Sequence, residues 1–434
     1  MPAGRYFEDW IEECSNGTDP ESTPHLFRRW AAISAVAGAL GRKVWYDFGT
    51  FKCYPNMYIG LIGPSGSNKS LSMKLPFYLL DSLALPLGIA REEAAARTAA
   101  LADLGFDFTL TKPIRLLQDK ITPEKLLVDM ESVTYMDPMS SVDDPTFDSS
   151  LSIMTSEFGI LMSRDNTNLQ AWLTDFWDAK DKVSYRIKTG PSQLIRGPAL
   201  NWIFGSVPDS FISNMPKDAA EQGLTSRIIA VYYDGPTFKK KEYYPTVDQK
   251  LYAHLRKDLA DISLQRGEFK LGPKVQEFLH DWFGKGMLPE PNYPLMDAYN
   301  TRRHSHFMKV ATCVAAARHR EPLIMMKDVE LARDYLLEAE THMMKVVSKF
   351  GLSESGQLVS GIRNYIERQW LSGGTEWPVP VDKTKEFALR TARTAGEVDQ
   401  ILRAMEDADI IRLISNHDLE GYCPGDNGKF DVRK

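Results

Sequence analysis

The sequence has few cysteines, no long apolar segment and no excess of basic residues, and each absence excludes a class of protein. Its four cysteines are scattered, with no CxxC pair and no nearby histidine cluster. This spacing argues against a disulfide scaffold and against a structural zinc site. No apolar run reaches the roughly 20 residues that a membrane-spanning helix requires, and the acidic N-terminus lacks a signal-peptide pattern. We therefore expect no membrane partner and a reducing cytoplasm.

The net charge of −6 gives no direct indication of a nucleic-acid partner. It does not exclude one either, because ring-shaped motors concentrate a few cations on the loops that line their channel. The chain of 434 residues, with 43% hydrophobic and 25% charged residues, has the ordinary composition of a globular protein. Its length predicts two or three domains.

Hydrophobic periodicity divides the chain into four segments. Residues 1–43 predict helices, and residues 44–235 alternate short buried strands with helices, which is typical of an α/β core with a parallel sheet. Residues 246–350 are predicted to be helical. Residues 353–434 predict three helices and a short β-like tail, an order that suggests a winged-helix-like module.

The strongest functional signal is the segment GPSGSNKS at residues 63–70. It matches the phosphate-binding pattern GxxxxGK[ST] except that Asn68 occupies the place of the second glycine. Asparagine is the non-glycine residue that best tolerates a positive φ. A predicted strand precedes the segment and a predicted helix follows it, as a phosphate cradle requires. The alternative is a turn that merely resembles the motif.

This pattern predicts the residues that bind Mg-ATP. Lys69 is expected to contact the β- and γ-phosphates and Ser70 to bind Mg²⁺. The residues expected to contact ATP are Gly63, Pro64, Ser65, Gly66, Ser67, Asn68, Lys69, Ser70 and Leu71.

A second predicted strand ends in an acidic residue. In the segment SIMTSEFG, Glu157 follows the apolar run, and a carboxylate at a neighbouring strand end orients or deprotonates the attacking water in ATPases of this kind. We also expect Glu157 to help bind the metal. Ser156 occupies the place of the aspartate that usually precedes this glutamate. The alternative is a strand that simply ends in a surface glutamate.

Two further strand termini carry polar residues. In NWIFGSVPDS, Ser206 ends a buried strand and is expected to sense the γ-phosphate, unless it is an ordinary strand-end serine. In GLTSRI, Arg227 precedes a strand and is expected to reach the γ-phosphate of a neighbouring subunit. A structural salt bridge is the alternative for Arg227.

In this order, the segments YPNMYIGLIGPSGSNKS, SIMTSEFG, LNWIFGSVPDS and GLTSRII resemble the P-loop domain of phage and bacterial primase/helicase-like ATPases. That family is related to RecA-like and AAA+ motors, and the similarity covers roughly residues 25–350. The resemblance implies a ring, usually hexameric, with ATP at the subunit interfaces and Arg227 acting in trans. It also implies that the helical region after residue 246 is a lid, with Arg302 or Arg303 either a second sensor or a solvated helix charge.

The segment KDKVSYRIKTGPSQLIR at residues 180–196 is predicted to form a hairpin rich in cations. On a hairpin that points into a ring channel these residues would follow a phosphate backbone, with the tyrosine as a stacking face. An ordinary solvated hairpin is the alternative. The residues proposed to contact nucleic acid are Lys180, Lys182, Tyr185, Arg186 and Lys188.

Together these features favour a Mg-ATP-dependent motor that acts on nucleic acid, a ring-forming replicative DNA helicase of phage or mobile-element type. Its partners would be single-stranded DNA and a separate primase or replisome protein. The alternative is a slowly hydrolysing ATP-dependent switch or scaffold, such as a helicase loader, a replication initiator or a defence component. A small-molecule kinase leaves the lid, the trans-acting arginine and the C-terminal module without a role.

Overall fold

A parallel β-sheet organises the larger of the two units of the computed structural model. Contacts divide the chain into Met1–Ser348 and Lys349–Lys434. The structure describes residues 4–17, 23–85, 87, 91–117, 121–138, 140–141, 143, 145–162, 167–185, 193–215, 223–235, 248–291, 296–347, 354–372, 377–390, 392, 394–416 and 419–425.

The helices are distributed along the whole chain. Their bounds are α1 (Trp10–Asn16), α2 (His25–Leu40), α3 (Lys69–Asp81), α4 (Arg91–Ala102), α5 (Pro123–Ser132), α6 (Thr167–Trp177), α7 (Pro208–Asn214), α8 (Gln249–Ser263), α9 (Val275–Gly284), α10 (Asp297–Asn300), α11 (Arg303–Arg318), α12 (Met326–Val347), α13 (Glu354–Ser372), α14 (Val381–Leu389) and α15 (Ala395–Asp407). None of the described helices is both long and apolar enough to cross a bilayer.

The strands are short. Their bounds are β1 (Val44–Asp47), β2 (Lys52–Cys53), β3 (Tyr58–Ile62), β4 (Leu116–Leu117), β5 (Tyr135–Met136), β6 (Phe147–Thr155), β7 (Lys182–Tyr185), β8 (Gln193–Arg196), β9 (Pro198–Ser206), β10 (Ile228–Tyr232), β11 (Gly267–Glu268), β12 (Lys270–Leu271), β13 (Leu323–Ile324), β14 (Val379–Pro380), β15 (Ile411–Asn416) and β16 (Leu419–Pro424).

The central sheet has the strand order β10-β3-β9-β6-β4, and each of these neighbouring pairs is parallel. Strand β5 adds an antiparallel pairing at the start of β6. All residues of β3, β9 and β10 are buried, which explains their continuous apolar runs. Strand β9 lies between β3 and β6, so the carboxyl ends of these three strands meet at one edge of the sheet.

Helices that precede the core strands in the sequence and helices that follow them both pack on this sheet. Helix α2 contacts α3, α8 and β9, and α12 contacts β10. Strands β1 and β2 form a hairpin after α2, and β1 also pairs in parallel with β11. The described residues of the predicted segments 1–43 and 44–235, and those of 246–350 as far as Val347, therefore belong to one unit.

The C-terminal unit contains its own core. Its elements follow the order α13, β14, α14, α15, β15, β16, and its antiparallel sheet has the order β14-β16-β15. Apolar residues of all three helices and of the sheet form one buried cluster, which includes Ile362, Ala388, Leu402 and Tyr422.

Two buried basic residues of α11 bind the amino-terminal ends of the central strands. The Lys309 ammonium donates hydrogen bonds to the carbonyl oxygens of Tyr54 at 2.8 Å and Asn56 at 2.7 Å. The His306 Nε2 lies 2.9 Å from the carbonyl oxygen of Ser226. Burial lowers the pKa of Lys309 to about 8 and that of His306 to about 3. Helix α11 is thereby joined to the segments that enter β3 and β10.

The buried His306 makes the stability of this unit sensitive to acid. Its folded-state pKa is about 3, whereas the unfolded chain binds a proton near pH 6.5, so stability falls as the pH drops from 6.5 towards 3. We predict that His306→Gln, which does not titrate, reduces the loss of unfolding free energy between pH 7 and pH 5 by about 2 kcal/mol. Urea denaturation at both pH values measures this difference. His280→Gln, at an exposed position, is the control, and an equal acid sensitivity in all three proteins would contradict the prediction.

Candidate functional site

The glycine-rich loop joins β3 to α3 and adopts the backbone conformation expected from the sequence. Asn68 has φ 54° and ψ 37°, in the left-handed region, and Gly66 has φ 84°. Asparagine enters this region at a lower cost than other residues with a Cβ. The expectation that Asn68 replaces a glycine at a positive φ is confirmed.

Gly63 closes the loop tightly against its surroundings. A Cβ at this position would lie 2.9 Å from the Ser67 Oγ and 2.9 Å from the Tyr233 carbonyl oxygen. The Gly63 N–H also donates to the Ser206 carbonyl oxygen at 3.1 Å. Only glycine fits here without a shift of the backbone, which explains the first residue of the motif.

The Lys69 side chain folds back over the loop. Its ammonium donates to the carbonyl oxygens of Gly63 at 2.9 Å and Pro64 at 3.0 Å, and to the Ser67 Oγ at 3.2 Å. Burial lowers the pKa of Lys69, and the nearby Glu157 carboxylate opposes that change. Because its hydrogen-bond acceptors are neutral oxygens, this ammonium is suited to pair with an anion that enters the loop.

The residues that follow Lys69 face solvent. Ser70 and Leu71 are exposed in the first turn of α3, where the first backbone N–H groups of a helix have no partner within the helix. The loop and the helix start thus combine a helix N-terminus, a lysine and an accessible hydroxyl, an arrangement suited to phosphate oxygens.

Gly205, which sequence reasoning did not select, brings three strand and helix ends together. A Cβ on Gly205 would lie 2.6 Å from the Ser156 carbonyl oxygen and 3.5 Å from the Lys69 Cβ. Ser156 and Glu157 follow β6 and are both exposed. The end of β6 therefore reaches the start of α3 because β9 carries no side chain at this point. The sequence signal that could have identified Gly205 is a glycine directly before the polar residue that ends a strand.

Ser206 contacts the loop through its backbone. Its side chain is fully buried, and its hydroxyl donates to the carbonyl oxygen of Val207 at 3.1 Å. The structure brings Ser206 beside Gly63, and its hydroxyl faces away from solvent. A sensing role for Ser206 stays a prediction.

Arg227 lies at the opposite edge of the sheet from the loop. It directly precedes β10, whose first residue pairs with Tyr58, the first residue of β3, and a five-residue strand spans about 13 Å. Arg227 Nη2 is 2.7 Å from Asp178 Oδ2, and Nε is 3.1 Å from Asp178 Oδ1. Within one chain the buried Arg227 is therefore paired with the exposed Asp178 and is remote from Lys69.

The two arginines at the start of α11 differ sharply. Arg303 is buried, with its Nη2 2.7 Å from Glu340 Oε2 and its Nη1 donating to the Met287 carbonyl oxygen, so it stabilises the helical region. Arg302 is half-buried. Burial lowers the pKa of Arg302, as does the nearby Arg227, so these two arginines occupy the same edge.

The predicted hairpin is present as β7 and β8, with Lys182 opposite Arg196. Lys180 pairs with Asp175 at 2.5 Å. The ring of Tyr185 packs edge-on against that of Trp172, with centroids 4.6 Å apart. Arg186 and Lys188 lie outside the described residues.

The described residues contain no cluster of three or more histidine, cysteine, aspartate or glutamate side chains suited to hold a metal. Mg²⁺ in nucleotide sites keeps several waters and uses one or two protein ligands in addition to phosphates, so Ser70 and Glu157 stay predicted ligands. Neither the protein-family models nor the curated proteins match this chain.

The left-handed conformation of Asn68 can be tested by substitution. We predict that Asn68→Gly changes the free energy of unfolding by less than about 1 kcal/mol, whereas Asn68→Val lowers it by about 1–2 kcal/mol, because a β-branched residue is strained at a positive φ. Chemical denaturation of the three proteins measures both values. Equal destabilisation by Gly and Val would show that the asparagine side chain, rather than the backbone conformation, matters here.

Proposed function

We propose that this protein binds and hydrolyses Mg-ATP in a P-loop fold of the RecA or AAA+ kind. The observation that carries the proposal is the convergence of the glycine-rich loop, Lys69 and Glu157 at one edge of a parallel sheet. Strand β9 separates β3 from β6, so the ends of these two strands lie about two strand spacings apart, roughly 10 Å. A γ-phosphate and an attacking water would lie over the end of β9, where Gly205 carries no side chain.

The residues at this edge fit a nucleoside triphosphate. The backbone N–H groups at the start of α3 and the Lys69 ammonium would bind the phosphates, whereas the Ser67 N–H donates to the Pro64 carbonyl oxygen at 3.2 Å. The exposed Ser70 hydroxyl would bind Mg²⁺. When bound, Mg²⁺ would neutralise charge on the β- and γ-phosphates.

Glu157 is the group in position to act on water. It is exposed at the end of β6, and its charge acts on Lys69. In the proposed reaction Glu157 orients a water and accepts its proton as the water oxygen bonds to the γ-phosphorus, and ADP leaves with the β–γ bridging oxygen. Lys69 stabilises the charge that develops on the phosphate oxygens.

A head-to-tail ring would unite the two edges of the sheet. The loop lies at the carboxyl edge and Arg227 with Arg302 at the amino edge, so each arginine can reach a triphosphate only in another copy. A heterologous contact of this kind closes into a ring when its rotation permits. We propose such a ring, a hexamer, and single-stranded DNA as the polymer on which this motor acts as a replicative helicase.

A slow ATP-dependent switch, such as a helicase loader, is the second candidate. Two observations favour it: Ser156 supplies no second carboxylate beside Glu157, and Asp178 binds Arg227 within its own chain. For Arg227 to act in trans, this ion pair must open, which costs energy because Asp178 is left without its partner.

We propose a winged-helix fold for the C-terminal unit. Its order of helix, strand, helix, helix and two-stranded hairpin supports this assignment. The third helix, α15, carries Glu397, Asp399, Glu406 and Asp407 with Arg403, an acidic surface poorly suited to DNA. A contact with another protein, such as a primase or a replisome component, fits it better.

Steady-state ATP hydrolysis with and without single-stranded DNA tests the proposed activity. We predict DNA-stimulated turnover that falls by about 100-fold or more in Glu157→Gln, which keeps ATP binding but lacks the base, and that is lost with ATP binding in Lys69→Ala. Lys74→Ala, at an exposed position on the same helix, and Glu277→Gln, exposed on α9, are the controls. ATP binding with negligible turnover in every condition would favour the switch.

Mixed assemblies test whether Arg227 acts across an interface. We predict that Arg227→Ala and Lys69→Ala proteins are each inactive, and that an equal mixture recovers up to about a quarter of the native rate, because one interface in four joins an intact loop to an intact arginine. Asp178→Asn, which releases Arg227, should remain active. A mixture without activity, from proteins whose thermal stability is intact, would assign Arg227 a structural role.

A further inference from the structure

We propose that a basic groove along the amino-terminal edge of the central sheet binds single-stranded nucleic acid. The groove has a volume of about 1070 Å³, and its lining includes Tyr54 before β3, Asp148 in β6 and Arg227 before β10. It therefore lies at the opposite edge from the phosphate loop. Arg227 and Arg302, which also line it, are assigned to the proposed subunit contact, and the strand is proposed to bind the part lined by Lys52, Tyr135 and Lys180. The choice of single-stranded nucleic acid as the ligand rests on the proposed function, whereas the groove itself is defined by the geometry of its lining residues.

The charge of the groove is opposite to that of the chain. Nine lysines and arginines and four aspartates line it, whereas the whole chain has 52 lysines and arginines against 58 aspartates and glutamates. Cations concentrated in one concave surface of an acidic protein are the electrostatic pattern of a polyanion site.

Several of these cations have no carboxylate as their hydrogen-bond partner in the described part of the chain. Lys43 donates to the Ala39 carbonyl oxygen, and Lys309 donates to backbone carbonyl oxygens. Lys52 lies over the Trp45 ring, 4.6 Å from its centroid. Lys52 is the exposed one of these three, so a phosphate that approached it would meet positive charge that no carboxylate of the described residues neutralises. Five other cations of the lining, among them Lys112 and Lys180, pair with aspartates.

One cluster within the groove is particularly rich in cations. Lys112 pairs with Asp148 at 2.9 Å, and Lys43 and Arg266 lie close enough to influence each other. Burial lowers the pKa of Lys43 to about 7; Asp148 opposes this change, and Arg266 and Lys112 add to it. Lys43, Lys112 and Arg266 thus line the groove together with Asp148 and with Asp137, which lies 3.9 Å from Arg266.

Aromatic side chains alternate with these cations. Six aromatic residues line the groove, among them Trp45, Tyr135 and Phe147. Tyr135 is only partly buried, so its ring is accessible to a base. Stacking on exposed rings between cationic backbone contacts is how proteins bind single strands without reading their sequence.

The size of the groove is compatible with a polymer. Sites for small molecules usually occupy about 300–1000 Å³, and this groove, at about 1070 Å³, lies at the upper end of that range. Lys180 and Asp181, at the base of the β7/β8 hairpin, extend its rim. A duplex keeps its bases stacked on each other, so it would leave the aromatic rings of the groove unused.

Fluorescence anisotropy with a labelled oligothymidylate of about 20 nucleotides tests the charge of the groove. The variant Lys52→Glu/Lys180→Glu is compared with Lys285→Glu/Lys327→Glu outside the groove. The control is matched, because Lys180 and Lys285 each pair with an aspartate and Lys52 and Lys327 are exposed. We expect the groove variant to bind about tenfold or more weakly and to lower the salt-dependence slope by about 1.4, and the control to bind like the native protein.

Tyr135 tests the stacking surface. Tyr135→Ala should weaken oligothymidylate binding about tenfold, and Tyr135→Phe, which keeps the ring, should restore it. An unlabelled duplex and inorganic tripolyphosphate serve as competitors. If either displaces the oligonucleotide at an equal phosphate concentration, or if Tyr135→Ala binds normally, the groove is not a site for single strands.

The Lys69→Ala protein separates this inference from the proposed ATPase. Its oligonucleotide affinity should equal that of the native protein, because Lys69 lies at the other edge of the sheet. If DNA stimulates hydrolysis but the groove variant and its control bind the oligonucleotide equally, the groove proposal is wrong and the proposed ATPase activity is supported. Binding that is weakened only by the groove substitutions, without hydrolysis, would support the groove and overturn the ATPase. An absence of binding by the native protein at low salt overturns the groove whatever the rate of hydrolysis.

Discussion

The parallel pairing of β3 with β9 on one side and β10 on the other is the constraint from which the rest of the larger unit follows. Every residue of these three strands is buried, so their register is fixed by the core, and a shift would carry apolar residues out of it. Once the register is set, the positions of the strand ends are fixed. The loop after β3 must lie at one edge, and Arg227 before β10 at the other.

The position of β9 determines how Lys69 and Glu157 are arranged at the carboxyl edge of the sheet, which carries the glycine-rich loop. A strand between β3 and β6 holds Glu157 away from the loop, and Gly205 at its end lets the two sides approach without contact between side chains. Glu157 therefore acts on Lys69 through its charge, with Lys69 itself hydrogen-bonded to neutral oxygens. Both groups stay available to a ligand because neither is neutralised by the other.

Local patterns in the sequence were sufficient to predict the main secondary-structure elements and the glycine-rich loop. They did not predict contacts between segments that are far apart in the chain. The strand before Gly63 and the positive φ of Asn68 follow from neighbouring residues alone. The strand predicted to end at Glu157 ends instead at Thr155, and Phe158 turns into the core and packs on Trp202. The Asp178–Arg227 pair and the basic groove join residues far apart in the chain, which periodicity cannot detect.

The amino edge of the sheet is positioned by the residue that enters β3. The Asn56 side chain donates to the carbonyl oxygens of Phe176 and Leu200, while Lys309 from α11 binds its backbone oxygen. Asn56 thus joins β3, the end of α6 and α11 at the edge that carries the groove. Asp178, which pairs with Arg227, follows the end of α6 by one residue. The hydrogen bonds of one buried amide therefore help to place both the start of β3 and the carboxylate that holds Arg227.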